Sequence, residues 1–284
     1  MIKVISDSTC DLSQELLERF DVSIIPLHVV MGEKEYEDGV DITPDQIYAW
    51  ADQNRTTPKT SAPSINRTMD IMRKYLKEGN ELICFAISEE MSTSANVMRM
   101  AAQELEAGDR IHVINSANLS TGIGLLVLEA AQMARDGKSA EEIVSSIEKL
   151  IPRVRASFVV DTLTYLHRGG RCSGLAALAG SALKLHPRID VVDGIMGAGK
   201  KYRGEISKAM VAYTKDMEEA LRSAKSTRVF ITHSGCNEET VEQVYSFLEG
   251  LNHFEEICVT RAGGVISSHC GYGTLGVLFI EGEK

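Results

Sequence analysis

ELICFAISEEMSTSANVMRM, residues 81–100, decides the fold. The apolar run Leu82–Ile87 has the length of a buried strand. A cluster of hydroxyls follows, Ser88, Ser92, Thr93 and Ser94, and then a pattern of helical period. Strand, polar loop and helix in this order make one unit of a parallel α/β sheet. A helix cap uses one or two hydroxyls, with Thr93 or Ser94 placed to start this helix. The remaining hydroxyls need another purpose.

The same rhythm extends outward from this stretch. KVIS (3–6) reads as a first strand, and DLSQELLERF opens a helix with Asp11 or Ser13 as its cap. VSIIPLHVV (22–30) is β-branched and apolar and reads as one strand; MGEKEYEDG reads as a turn or hairpin. Thr43 at the cap and Pro44 at the first helical position start another helix. KTSAPS (59–64) reads as a loop before a helix whose Ile65, Met69, Met72 and Leu76 share a face. RIHVIN (110–115) is a strand, LLVLEAAQMARDG a helix closed by Gly137, and Ser139 with Glu142 a capping box. Strands alternating with helices predict an N-terminal α/β domain over residues 1–154, with a mostly parallel sheet and flanking helices.

The rhythm changes after Pro152. SFVVDTL reads as a strand, and LHRGGRCSGLAALAGSALKL as close-packed helices rich in Gly and Ala. RIDVVDGIMGAGKKYRGEI reads as two strands around a Gly-rich turn, and TRVFITH, EEICVTRAG and GVLFIEG as three more strands. These predict a C-terminal α+β domain over residues 155–284. No low-complexity linker separates the halves, so close packing between them is expected.

The 284 residues are 44% hydrophobic and 25% charged, with mean hydropathy −0.07, the composition of a globular protein. No unbroken apolar stretch of about 18 residues occurs, and the first residues lack the pattern of a signal peptide. A cytoplasmic protein is expected. The net charge of −10 argues against a general nucleic-acid binder. The six cysteines form no C-x-x-C pair and no zinc spacing, so neither a metal site nor a disulfide is expected. Cys84 and Cys258 fit the core; Cys270, beside His269, is the one candidate for reactivity, with the core reading favoured.

GIMGAGKK (194–201) nearly matches the phosphate-binding loop G-x-x-x-x-G-K-[ST], but Lys201 stands where a hydroxyl should bind Mg²⁺. No helix start follows it, and a hairpin is the better reading. RGGR (168–171) and Arg203 are either a solvated basic surface or a docking site for an anionic partner. His269 is evenly balanced between a ligand-facing and a structural role. In TSAP (60–63), Ser61 serves as a helix cap and Thr60 is left over. Loops after parallel strands gather at one sheet edge, where ligands bind, and helix N-termini favour anions. Neutral hydroxyls and amides at such an edge suit a carboxylate better than a triphosphate.

Taken in order, SDSTCDL (6–12), IIPLHV (24–29), KTSAPS (59–64), ISEEMSTSA (87–95), DTLTYLHRGGR (161–171) and ISSHCGYGTLGV (266–277) make a specific pattern spanning nearly the whole chain. It resembles the DegV family of bacterial fatty-acid-binding proteins, which includes the FakB components of fatty acid kinase. The resemblance implies the two-domain DegV-like fold with an acyl chain buried between or beneath the domains. It implies that Thr60 and Ser92 bind the fatty-acid carboxylate, with Ser61 beside them and His269 near the head group. It implies that Arg171 and Arg203 engage a separate FakA-like kinase subunit, which phosphorylates the carboxyl group with ATP for phospholipid synthesis. The chain itself would then have no catalytic residue, no cofactor and no metal. It would work as a monomer in transient membrane contact for acyl exchange, with no nucleic-acid partner. Departures from the family pattern are Met91-Ser92-Thr93-Ser94 for L-S-G-T, Asn115-Ser116 for Asp-Ser, His186-Pro187 for Lys-Pro, and Gly271-Tyr272-Gly273 for G-P-G. Two alternatives stand beside this expectation. One is a stand-alone phosphotransferase or hydrolase using Ser92 or Cys270 with His269, and the other is a lipid-responsive regulator.

Overall fold

The computed structural model describes residues 1–172 and 185–283. Three sheets organise the described residues. The first is parallel and four-stranded, in the order β2 (Ser23–Ile25), β1 (Ile2–Asp7), β6 (Glu81–Ala86), β7 (Ile111–Asn115). The second is antiparallel and three-stranded, in the order β4 (Lys34–Glu37), β3 (His28–Met31), β5 (Lys59–Ser61). The third is mixed and six-stranded: β10 (Ile195–Arg203), β9 (Leu185–Val192), β8 (Val154–Val159), β13 (Leu275–Glu281), β11 (Ala224–His233), β12 (Ile257–Arg261). The α-helices of the described residues are α1 (Gln14–Phe20), α2 (Pro44–Asn54), α3 (Ile65–Lys77), α4 (Ser94–Glu104), α5 (Thr121–Arg135), α6 (Ala140–Leu150), α7 (Thr164–Gly169), α8 (Ile206–Asp216), α9 (Glu218–Arg222), α10 (Glu238–Gly250) and α11 (Gly264–Cys270). Among the described residues, no helix is long and apolar enough to cross a membrane.

Local chemistry explains these elements. Strand β6 is covered on both faces, which is why Leu82 to Ala86 read as a continuous apolar run rather than an alternating one. Thr43 with Gln46, and Ser139 with Glu142, close both bonds of a capping box at the starts of α2 and α6. Helix α5 is buried on nearly its whole circumference, from Thr121 to Ala131. It packs on β1 and β6 of the parallel sheet and also on β8, β11 and β13 of the mixed sheet. One apolar cluster therefore runs from Ile83 and Phe85 through Leu126 and Leu128 to Phe158 and Leu278. Each such side chain contributes about 1.5–3 kcal/mol by its burial.

At five points the structure differs from the sequence reading or decides between its alternatives. VSIIPLHVV is two strands, because Pro26 has no N–H to donate to a ladder. Ser23–Ile25 pairs parallel with β1, while His28–Met31 enters the antiparallel sheet. KTSAPS begins as strand β5, with Thr60 paired opposite Val29. The cap of the next helix is Ser64, not Ser61: its hydroxyl accepts from the Arg67 N–H. In the hairpin of β9 and β10, the turn is Asp193-Gly194; Gly197 and Gly199 lie within β10, where the register shifts between Ala198 and Lys201. An antiparallel hairpin in place of strand-loop-helix removes the phosphate-loop reading. Ser13, rather than Asp11, caps α1. The helices expected in 173–184 lie outside the described residues.

Candidate functional site

The loop from Ile87 to Thr93, which follows β6, is held on three sides. The Ile87 N–H donates to Asp7 Oδ2 at 2.9 Å. The Ser88 N–H donates to the Asn118 carbonyl at 2.9 Å, and the Ser88 hydroxyl donates to the Gly194 carbonyl at 2.7 Å. Ser88 thus fastens the tip of the β9–β10 hairpin onto the loop. Gly194 sits at φ +80°, in the left-handed region, and a Cβ there would meet Ser88 Oγ at 2.5 Å. The Ser92 N–H closes a turn onto the Ser88 carbonyl, so Ser92 is placed by backbone geometry. Its hydroxyl accepts from the Ser94 N–H at 3.3 Å and shares a hydrogen with Ser94 Oγ at 2.9 Å. Thr93 occupies the cap position of α4 without a side-chain cap bond.

The second wall comes from the other end of the chain. Helix α11 carries Val265, Ile266, His269 and Cys270, and it is fixed at its start by two buried carboxylates. Asp11 Oδ1 accepts from the Gly263 N–H at 2.8 Å, and Asp38 Oδ1 from the Gly264 N–H at 2.7 Å. A Cβ on Gly264 would stand 2.7 Å from Asp38 Oδ1 and 2.9 Å from Ile47 Cδ1, so this approach requires glycine. At the end of the helix, His269 Nε2 lies 2.8 Å from Thr60 Oγ1 on β5.

Electrostatics fix the state of this pair. Burial, with the charge of Arg171 as a lesser cause, pushes His269 down to about 4. The ring is therefore neutral at physiological pH. Its Nδ1 is buried and has no partner among the described residues. An orphaned lone pair costs less than an orphaned N–H, so the proton belongs on Nε2, where Thr60 Oγ1 accepts it. The Thr60 hydroxyl hydrogen is then free to donate to a ligand. The Cys270 thiol is fully buried and pushed strongly upward by that burial, so it behaves as a small apolar wall group.

These residues line a partly open cavity of about 480 Å³, within the range of small-molecule sites. Thr60, Ser61, Ser92, His269 and Arg171 all line it, together with Leu27, Ile87, Met91, Leu119, Met196 and Ile266. The structure thus brings five of the six expected site residues to one place. Ser61 faces the cavity, but its hydroxyl donates to Glu35 at 3.2 Å. Arg171 is exposed and donates to the Gly169 carbonyl at 2.6 Å. Arg203 is exposed at the end of β10 and does not line the cavity. Among the described residues no group of three or more His, Cys, Asp or Glu side chains is arranged to hold a metal ion.

Sequence reasoning missed the buried acids. Asp7, Asp11 and Asp38 are pushed upward by burial, Asp7 to about 6 and Asp11 to about 8. Asp7 accepts from Thr9 on one oxygen and from the cavity-lining Ile87 on the other; Asp11 bridges Ser120 and Gly263, and Asp38 bridges Ser8 and Gly264. In the sequence, Asp7 and Asp11 look like ordinary turn and cap residues; their separations of 80 and 252 positions from Ile87 and Gly263 leave no local signal. Glu89 and Glu90 on the cavity wall were also missed.

A family model described as an uncharacterised protein of the DegV family matches residues 1–282. A DegV domain-containing protein of Clostridium acetobutylicum is 33% identical over 285 residues, covering 99% of this chain and 98% of the relative. A solved DegV family protein of Thermus thermophilus, described by its fatty-acid binding, superposes with a TM-score of 0.90 at 31% identity, over 99% of both chains. A stearic-acid-binding protein of Eubacterium ventriosum superposes with a TM-score of 0.86, also at 31% identity, over 99% of this chain and 98% of that one. With a family model covering almost every residue and relatives alike from end to end, the chain belongs to the DegV family.

Proposed function

We propose that this chain binds a long-chain fatty acid in the 480 Å³ cavity, with the carboxylate on Thr60 and Ser92. The observation that carries the reading is the convergence of Thr60, Ser92 and His269 on a cavity whose remaining wall is largely apolar. His269 Nε2–H donates to Thr60, and Thr60 passes a hydrogen bond on to the carboxylate. The first turn of α4, without a side-chain cap, adds the positive end of a helix dipole beside Ser92. Burial of each CH₂ contributes about 0.8 kcal/mol, so a long chain provides most of the affinity. The fatty-acid binding described for the Thermus thermophilus and Eubacterium ventriosum proteins supports the same reading.

Neutral donors hold the carboxylate without cancelling its charge, which leaves an oxygen nucleophilic. In this reading the chain performs no chemistry. A separate kinase supplies ATP; the carboxylate oxygen attacks the γ-phosphorus, ADP leaves, and the acyl phosphate passes to phospholipid synthesis. Arg171 beside the cavity and Arg203 on the hairpin are the exposed cations for docking that kinase. The chain acts as a cytoplasmic monomer that meets the membrane to exchange acyl chains. A stand-alone hydrolase is disfavoured because His269 is committed to Thr60 and the Cys270 thiol stays protonated.

The test is calorimetric titration of delipidated protein with palmitate and stearate. Ser92→Ala and Thr60→Val each remove a hydrogen bond to a charged group, about 1.5–3 kcal/mol, or roughly tenfold to a hundredfold in affinity. Unchanged affinity in both variants overturns the head-group assignment.

A further inference from the structure

A second cavity, partly open and of about 500 Å³, lies at one edge of the mixed sheet and shares no lining residue with the first. Its walls are places where strands end and helices begin. Asp161 follows β8, Gly204 and Glu205 join β10 to α8, and Gly235 to Asn237 join β11 to α10. Helices α8 and α10 pack on each other, and both start at this cavity. Helices that start side by side at the carboxyl ends of strands offer their free N–H groups to an anion. The first turn of α8, with the N–H groups of Ile206, Ser207 and Lys208, has no side-chain cap. In α10, Asn237 Oδ1 accepts the Thr240 N–H at 2.8 Å and leaves those of Glu238 and Glu239 open. The hydroxyls of Ser207 and Thr240 also line the cavity, without a partner among the described residues.

A buried histidine defines the other end of the site. His186 is 5% exposed and lines the cavity. Its Nε2 lies 3.1 Å from the Gly204 carbonyl, which can only accept, so Nε2 carries a hydrogen. Its Nδ1 is buried and has no hydrogen-bond partner among the described residues. Asp161 Oδ1 stands 3.6 Å away, beyond hydrogen-bond reach. In the neutral ring these two atoms are acceptors facing each other with no donor between them. The Asp161 side chain is half exposed, so it can turn aside and admit one. A pair of hydroxyls, as in a polyol, gives each acceptor its hydrogen. The carboxylates of Asp161 and Glu205 on the same wall repel a bare anion, so the ligand has to bring donors as well as charge.

The geometry points to this cavity as a binding site for a small phosphate ester of a polyol, with the phosphate on the amides that open α8 and α10 and the hydroxyls on His186 Nδ1 and Asp161. This site stands apart from the fatty-acid reading, since none of its residues touches the first cavity.

The experiment follows the backbone amides of the ¹⁵N-labelled full chain by NMR during titration with glycerol 3-phosphate and, separately, with inorganic phosphate. Glycerol 3-phosphate gives saturable shifts at residues 206–208 and 238–239 and binds roughly tenfold more tightly than inorganic phosphate, which lacks the hydroxyls. Ser207→Glu places a carboxylate in the first turn of α8, where it favours the helix and competes with the phosphate. It lowers the affinity for glycerol 3-phosphate about tenfold or more and leaves palmitate binding unchanged. His186→Gln keeps a donor for the Gly204 carbonyl and removes Nδ1, so the ester loses its advantage over inorganic phosphate. Absence of saturable shifts at these amides with both probes at millimolar concentration overturns the assignment. So does undiminished binding by Ser207→Glu, or equal affinity of the wild-type chain for the two probes.

Discussion

At the scale of single residues, the hydroxyls of the 88–94 loop divide their work. Ser88 is structural, a fastener between the loop and the hairpin; Ser92 lines the cavity; Ser94 is hydrogen-bonded to Ser92. Ser88→Ala removes the buried bond to Gly194 and a weaker one from the Glu90 N–H, and costs about 1–3 kcal/mol. Its expected signature is local: faster amide exchange at residues 193–196, with exchange in α5 unchanged. His269 gives a second test. Because burial holds it at about 4, its imidazole carbon proton shows no titration between about pH 5.5 and 8 in an NMR pH series. A midpoint near the ordinary histidine value of ~6.5 contradicts the buried, Thr60-bonded geometry. The place of Thr60 and Ser92 on the cavity wall was legible because they exceed what caps require. The assignment of Ser61 as a cap failed because a neighbouring serine, Ser64, meets the need three residues later.

At the scale of elements, helix α11 is the critical part, since it brings His269 and much of the apolar wall. Its start is fixed by Asp11 and Asp38, carboxylates from segments more than two hundred residues away. Gly264→Ala drives a methyl group against Asp38 and Ile47. About 1–3 kcal/mol of stability is lost in urea unfolding, together with fatty-acid affinity. Asp11 also sets a pH dependence. Its value of about 8 in the folded protein lies above the ordinary 3.8, so the folded state holds this proton more tightly. The stability it contributes is complete below about pH 4 and is lost as pH rises through 8. His269, depressed to about 4, acts the opposite way, losing its contribution as pH falls from 6.5 towards 4. Urea unfolding between about pH 6.5 and 9 therefore isolates the acids: wild-type stability declines, and Asp11→Asn, neutral throughout and able to bond Ser120 and Gly263, flattens the decline. Equal slopes contradict it. The helices and parallel strands were legible from caps and apolar runs. Strand β5 was not, because three residues of KTS carry no alternation and pair only through a tertiary partner, β3.

At the scale of the whole molecule, the cavity exists because two sheets of different design share one buried helix. Helix α5 is the common layer, and the loops of β6, strand β5 and helix α11 meet beside it. The sequence announced the parallel unit and the change of rhythm after Pro152, since both are local patterns. It gave no view of the cavity walls, because Leu27, Leu119, Met196 and Ile266 are ordinary apolar residues whose convergence is set by topology alone. The central claim is that this interior holds a fatty acid. It is tested most directly by purifying the protein under native conditions, denaturing it, and analysing the organic extract by mass spectrometry. The account predicts about one long-chain fatty acid per chain, released on denaturation and reduced in Ser92→Ala. An extract free of fatty acid, from a protein that also takes up none when palmitate is added, contradicts it.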